Sequence, residues 1–105
     1  MGQKSTLKYT GSSSKWDKYK EVQAECLDLA MRKNADYGND AISGVGVLGI
    51  SVRLWDKVCR LKSLVVENKE ITIKEESIRD IFKDILNYAT FALIIMDDPK
   101  IWYKD

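Results

Sequence analysis

Residues 75–88 read E-E-S-I-R-D-I-F-K-D-I-L-N-Y, and this stretch decides the fold. Its apolar residues Ile78, Ile81, Ile85 and Tyr88 recur every three or four positions, which is the repeat of one face of an α-helix. Beside them runs a second stripe of polar residues, spaced four, four and three apart: Glu76, Asp80, Asp84 and Asn87. The segment therefore predicts an amphipathic helix with an acidic stripe next to its apolar face.

An acidic stripe needs an explanation, because like charges four residues apart on a helix destabilise it by roughly 0.2–0.5 kcal/mol each. Such a stripe is either an exposed face, a surface that meets cations from elsewhere, or a site for a hydrated metal ion. A second set of carboxylates with the same kind of spacing lies near the N-terminus: Glu21, Glu25 and Asp28. If the two helices pack together through their apolar faces, the carboxylates converge. Oxygen-only clusters suit Mg²⁺ or Mn²⁺ and suit zinc poorly.

The rest of the chain also has helical spacing. It predicts a first helix over residues 15 to about 34, a second over about 47–67, and a third from about 74 to Asp97. Residues 1–14 are small and polar, and we expect a flexible tail there, followed by one helical domain over residues 15–105. The predicted fold class is all-α.

Composition excludes several classes of function. The 105 residues carry 17 Lys and Arg against 16 Asp and Glu, so the net charge of +1 does not favour direct nucleic-acid binding. The absence of histidine excludes an imidazole base and a histidine-based zinc site. Cys26 and Cys59 lie within apolar helical patterns, which predicts two small buried hydrophobes. With no signal peptide and no membrane-spanning stretch in the sequence, we expect a cytoplasmic protein without a membrane partner, in the host cytoplasm if a phage encodes it.

The second predicted helix has a basic face. Arg53, Asp56, Lys57 and Arg60 follow one another at spacings of three, one and three, so three cations share a helix face with one carboxylate. The face is either a set of ion pairs, each worth about 0.2–1 kcal/mol when exposed, or a set of cations that contact phosphate oxygens. Both interpretations are open from the residues alone.

Large apolar side chains are more numerous than three helices can cover. They include Phe91, Ile95 and Trp102 near the C-terminus, together with Trp16 and Trp55. Burying the surplus between identical chains is the simplest solution, so we expect a homodimer or higher homo-oligomer with Phe91 and Ile95 at its interface.

Three blocks of sequence, K-N-A-D-Y-G (33–38), residues 46–64 and residues 76–89, resemble the phage and bacterial nucleotide-modification-associated domain family. That family is similar in turn to the all-α, MazG-like nucleoside triphosphate pyrophosphohydrolases. The resemblance implies a three-helix MazG-like bundle and Mg²⁺ held by acidic residues on two helices. The metal ligands that it implies are Glu21, Glu25, Asp80 and Asp84.

The resemblance also implies a reaction and a nucleotide site. The reaction is Mg²⁺-dependent hydrolysis of a (deoxy)nucleoside triphosphate to monophosphate and pyrophosphate, with Glu76 and Glu25 as catalytic residues. The predicted nucleotide-binding residues are Lys33, Asp36, Tyr37, Arg53, Asp56, Lys57, Arg60 and Asn87. The alternative is a protein that binds a nucleotide without hydrolysing it, either to sequester a nucleotide immune signal or to accompany base-modification enzymes.

Overall fold

The computed structural model describes residues 14–67 and 77–103, and all regular structure in these two ranges is helical. This confirms the all-α prediction. The described ranges contain three long helices, one short helix between the first two, and a single turn after each of the last two long helices. In chain order the elements are α1 (Lys15–Tyr37), α2 (Asp40–Ser43), α3 (Gly46–Leu61), a π-helical turn (Lys62–Val66), α4 (Ile78–Asp97) and a 3₁₀ turn (Ile101–Tyr103).

Helix α1 begins where the sequence predicts and ends three residues later. The Ser14 side chain caps it by accepting a hydrogen bond from the backbone N–H of Asp17 at 3.1 Å. The polar residues near position 34 do not end the helix, because they leave its backbone hydrogen bonds intact. It ends at Gly38, whose φ of 83° lies in the left-handed region that glycine adopts at low cost.

The second predicted helix, over about 47–67, is α-helical in its first part and π-helical in its last turn. Helix α3 has α-helical hydrogen bonds up to Leu61, and the chain then widens into one π-helical turn that ends at Val66. The segment before α3, which we expected to be a loop, contains the four-residue helix α2. It carries the chain from the end of α1 to the start of α3 at Gly46.

Helix α4 begins at Ile78, four residues after the predicted start. The Ser77 hydroxyl accepts a hydrogen bond from the backbone N–H of Asp80 at 3.1 Å, so Ser77 is the cap of this helix. The predicted start near position 74 and the predicted residue Glu76 lie outside the described residues. The helix ends at Asp97, as the Asp-Asp-Pro sequence predicts.

The core is small and lies along the inner face of α4. Among the described residues the buried apolar side chains are Cys26, Ile50, Ile81 and Phe91. The rings of Phe91 and Trp102 lie 4.9 Å apart, so the C-terminal turn packs back on its own chain. The prediction that Phe91 lies at an interface between chains is therefore wrong.

The two cysteines differ in environment. Cys26 is buried in the core as predicted, whereas Cys59 is exposed, so the prediction for Cys59 is wrong. The apolar neighbours of Cys59 in the sequence share its outward face of α3 and do not enclose it. None of the described helices combines the length and the apolar character needed to cross a bilayer.

Candidate functional site

A cavity of about 340 Å³ lies where α1, α2, α3 and α4 meet. Volumes from about 300 Å³ upward are typical of small-molecule sites. The lining combines cations, aromatic rings and small residues: Ala30, Lys33, Tyr37, Ala41, Arg53, Asp84, Asn87, Tyr88 and Phe91. Four of the predicted nucleotide-binding residues, Lys33, Tyr37, Arg53 and Asn87, are among them.

Asp84 is the buried charge of this cavity. Its Oδ1 accepts a hydrogen bond from the Nζ of Lys33 at 3.0 Å, and its Oδ2 lies 3.1 Å from the Nζ of Lys57. The aspartate is 8% exposed as a residue, and the Lys57 side chain is 12% exposed. A carboxylate this deep in the protein needs compensation, because an unpaired buried charge is strongly unfavourable. The triad therefore ties α1 and α3 to α4.

Arg53 is the second cation on the cavity wall, together with Lys33. Its side chain is exposed, and it forms no ion pair with any residue in ranges 14–67 and 77–103. Lys33 and Arg53 line the cavity together with the carboxylate of Asp84, so two positive charges against one negative charge leave a net charge of +1 on the lining, and Lys57 pairs with the same carboxylate from outside the lining. A guanidinium presents a planar set of donors that matches the geometry of phosphate oxygens.

Aromatic rings also line the cavity. Tyr37 is the last residue of α1 and is 71% exposed. Tyr88 and Phe91 come from α4, with their rings 6.3 Å apart at an interplanar angle of 71°. Flat aromatic surfaces beside small residues such as Ala41 suit a planar ring system that stacks on them.

Asn87 connects the cavity to the core. Its Nδ2 donates a buried hydrogen bond of 3.0 Å to the backbone carbonyl oxygen of Cys26. The side chain is 7% exposed. Because this bond holds α1 against α4, Asn87 fixes the distance between the two helices that carry Lys33 and Asp84.

The remaining predicted nucleotide-binding residues do not line the cavity: Asp36, Asp56, Lys57 and Arg60. Asp56 and Arg60 form an ion pair of 3.2 Å with each other on the surface of α3. Asp36 is an exposed residue near the end of α1. The basic face of α3 thus divides into an inward part, Arg53 and Lys57, and an outward ion pair that matches the salt-bridge interpretation.

The acidic residues of α1 and α4 do converge, but around cations of α4. Glu25 accepts hydrogen bonds from both Nη atoms of Arg79, one of them at 2.7 Å, and from the Nζ of Lys83 at 3.1 Å. Lys83 also lies 3.4 Å from Asp80. The bonds from Arg79 and then from Lys83 lower the pKa of Glu25 from 4.5 to about 2. The Ser77 side chain, followed by Lys83, lowers the pKa of Asp80.

These contacts bear on the predicted Mg²⁺ site. Across residues 14–67 and 77–103, no three carboxylate or thiol groups come close enough together to hold a metal ion. Glu21 pairs with Lys18 at 2.6 Å on the surface, and Asp84 is held by two lysines. The described carboxylates therefore do not fit a resident divalent cation as they stand. Because Glu76 lies outside the described residues, the Mg²⁺ or Mn²⁺ site stays a prediction.

Sequence reasoning missed two features of the site. Tyr88 belongs to the apolar stripe of α4 in the sequence, yet it also lines the cavity. Lys33 and Asp84 were predicted for different ligands, a nucleotide and a metal ion, but they bind each other. Their separation of 51 positions along the sequence hides this pairing, since local spacing carries no information about it.

Comparison with known proteins agrees with this site. The sequence model of the family described as nucleotide modification associated domain 1 matches residues 33–96, which contain every lining residue of the cavity except Ala30. The comparisons with curated proteins and with solved structures gave no match. Since the family match covers more than half of the 105 residues, the chain belongs to the nucleotide modification associated domain 1 family.

Proposed function

We propose that this domain binds a nucleotide in the 340 Å³ cavity, with its phosphates toward Lys33 and Arg53 and its base toward Tyr37 and Tyr88. The observation that carries the proposal is that two cations, Lys33 and Arg53, and two tyrosine rings, Tyr37 and Tyr88, line the same cavity. A nucleotide combines an anionic phosphate group with a flat aromatic base, which suits this lining. The family to which the chain belongs is associated with nucleotide modification, which agrees with this ligand class.

Binding of this kind requires no metal ion. Ammonium and guanidinium groups neutralise phosphate charge by themselves, and their charge-assisted hydrogen bonds are roughly twice as strong as neutral ones. Arg53 has the largest part in the proposal, because its side chain is not committed to another described residue. The biological role that we propose is to sequester a nucleotide signal or to hold a nucleotide for base-modification enzymes.

Hydrolysis of a nucleoside triphosphate to monophosphate and pyrophosphate is the second candidate. One observation favours it: Glu25 of α1 and Asp80 of α4 both reach the Nζ of Lys83, so the acidic stripes of two helices do meet. A relationship to MazG-like enzymes would imply a divalent cation between these two carboxylates. In the described ranges, however, both carboxylates are bonded to cations of α4.

Calorimetric titration with a panel of ribo- and deoxynucleotides, in Mg²⁺ and in a chelator, separates the two candidates. We expect stoichiometric binding in both conditions, with the ligand recovered intact by chromatography. Release of pyrophosphate in Mg²⁺ would instead establish the hydrolase, and the absence of binding in either condition would refute both.

A matched pair of arginine variants locates the site. Arg53→Ala should weaken binding about 10- to 100-fold, since a charge-assisted contact contributes about 1.5–3 kcal/mol. Arg32→Ala is the control, because Arg32 pairs with Asp28 at 2.9 Å on the exposed surface of α1. Equal effects of the two variants would show that binding is only a response to overall charge.

A further inference from the structure

Helix α3 is apolar on two opposite faces. Its inner face packs against α4 through residues that include the fully buried Ile50. Its outer face and the cap residue before it carry a second apolar row, here called the outer stripe of α3: Val45, Leu48, Val52, Trp55 and Cys59. A helix with apolar residues on both sides is typical of one that is buried on both sides.

The outer stripe has the spacing of a helix–helix seam. Its residues follow at intervals of three, four, three and four, which is the repeat that keeps side chains in line along a paired helix. None of the five is charged. Leu48 and Trp55 are 71% and 69% exposed, so the described part of the chain leaves the stripe uncovered.

We propose that the outer stripe of α3 is the surface through which two copies of this chain associate about a two-fold axis. The stripe spans 14 steps of helix, or about 21 Å, which is the length of a short paired-helix contact. The exposed fractions of Val45, Leu48, Val52 and Trp55, between 63% and 71%, correspond to roughly 500 Å² of apolar surface on each copy. Two such surfaces bury about 1,000 Å², the lower limit for a specific interface.

The charged residues beside the stripe are paired with each other, Asp56 with Arg60 and Lys62 with Glu67. On one flank Asp56 and Arg60 form an ion pair of 3.2 Å, so this flank brings no excess charge to a symmetric contact. On the other flank Ser51 is small, and its hydroxyl donates to the backbone carbonyl of Val47 at 2.8 Å. A two-fold axis places the same surface on both sides, and a neutral flank meets itself without repulsion. Trp55 supplies the large aromatic side chain that commonly anchors such contacts.

Sedimentation equilibrium of the full chain tests the proposal. We expect a dimer at micromolar concentration and a dimer dissociation constant raised about a hundredfold by Leu48→Glu. The matched control is Leu93→Glu on α4, because Leu93 is another exposed leucine, at 59%, that lies outside the stripe. Circular dichroism of both variants should match that of the wild type, since neither side chain is buried.

Alkylation of the cysteines gives an independent readout. Cys59 lies on the stripe and is exposed in the single chain, so its rate of reaction with iodoacetamide should fall as protein concentration rises through the dissociation constant. The buried Cys26 should react slowly at every concentration. A monomer across the concentration range would overturn the proposal, and so would a dimer that Leu48→Glu and Leu93→Glu weaken equally. Neither result would affect nucleotide binding, which the Arg53 variant tests separately.

Discussion

Replacing Asp84 with asparagine separates a cation-lined anion site from a metal site. The substitution keeps the size of the side chain and removes its charge. In the structure that charge is 8% exposed and lies between Lys33 and Lys57, at 3.0 and 3.1 Å. Removing one partner of a buried ion pair costs about 3–5 kcal/mol. Because the Lys33 side chain is 45% exposed and is able to turn toward water, we expect a loss near 3 kcal/mol.

The same substitution should strengthen nucleotide binding. It raises the charge of the cavity lining from +1 to +2, because Lys33 and Arg53 stay in place without the carboxylate of Asp84. We expect affinity for a nucleoside triphosphate to rise about tenfold at low ionic strength, or about 1.4 kcal/mol, and the gain to shrink as salt screens the charges. Denaturant unfolding measures the stability, and titration calorimetry at two salt concentrations measures the binding.

Asp56→Asn is the matched control for both measurements. Asp56 pairs with Arg60 on the surface, where its side chain is 58% exposed, so its loss should cost under about 1 kcal/mol and leave binding unchanged. Weaker nucleotide binding by Asp84→Asn, with stability intact, would refute the reasoning. It would mean that the carboxylate itself contacts the ligand or a bound cation, as the predicted metal site requires.

Three further predictions concern other parts of the structure. Glu25 has a pKa of about 2 when folded against 4.5 as a reference, so its stabilising contribution is complete above pH 4.5 and is lost as the pH falls toward 2. Wild-type stability, measured by urea unfolding across this range, should therefore fall more steeply than that of Glu25→Gln, and parallel curves would contradict the pairing with Arg79 and Lys83. Gly38→Ala should lower stability by about 1–2 kcal/mol in thermal unfolding, because an L-residue is strained at a φ of 83° although nothing lies within 4 Å of the new Cβ. Phe91→Ala should cost about 3–5 kcal/mol in denaturant unfolding through the cavity that it leaves beside Trp102, and a small loss would show that the C-terminal turn is not packed as described.

The fold followed from sequence because its signals are local. Helical spacing and side-chain caps such as Ser14 are readable within a few residues, and they predict α1, α3 and α4 with errors at the ends. The end of α1 was missed because polar residues near position 34 suggest a turn, whereas the backbone turns only at Gly38. The π-helical turn after α3 carries no signature that we could identify in its residues.

The site was only partly predictable, because it depends on contacts between distant segments. Residue type identified Lys33, Arg53 and Tyr37 as ligand-binding candidates, and the structure brings them to one cavity. Residue type could not show what each carboxylate binds. Asp84 and Glu25 occupy similar positions in the acidic stripes of their helices. Asp84, however, pairs with Lys33 and Lys57, whereas Glu25 pairs with Arg79 and Lys83 outside the cavity.

The pairing of Asp84 explains how a small domain tolerates a cationic cavity. Lys33 and Arg53 on the cavity wall and Lys57 behind it repel one another, and the four apolar residues that are buried in the described part of the chain have little stability to offset this. Asp84 neutralises part of that charge while it holds α1 and α3 against α4. A bound phosphate would supply further negative charge to the same lysines, so the ligand would reinforce the contacts between helices instead of competing with the fold. Nucleotide binding should therefore be strongest to the native arrangement of α1, α3 and α4, which is the condition for a ligand to stabilise its protein.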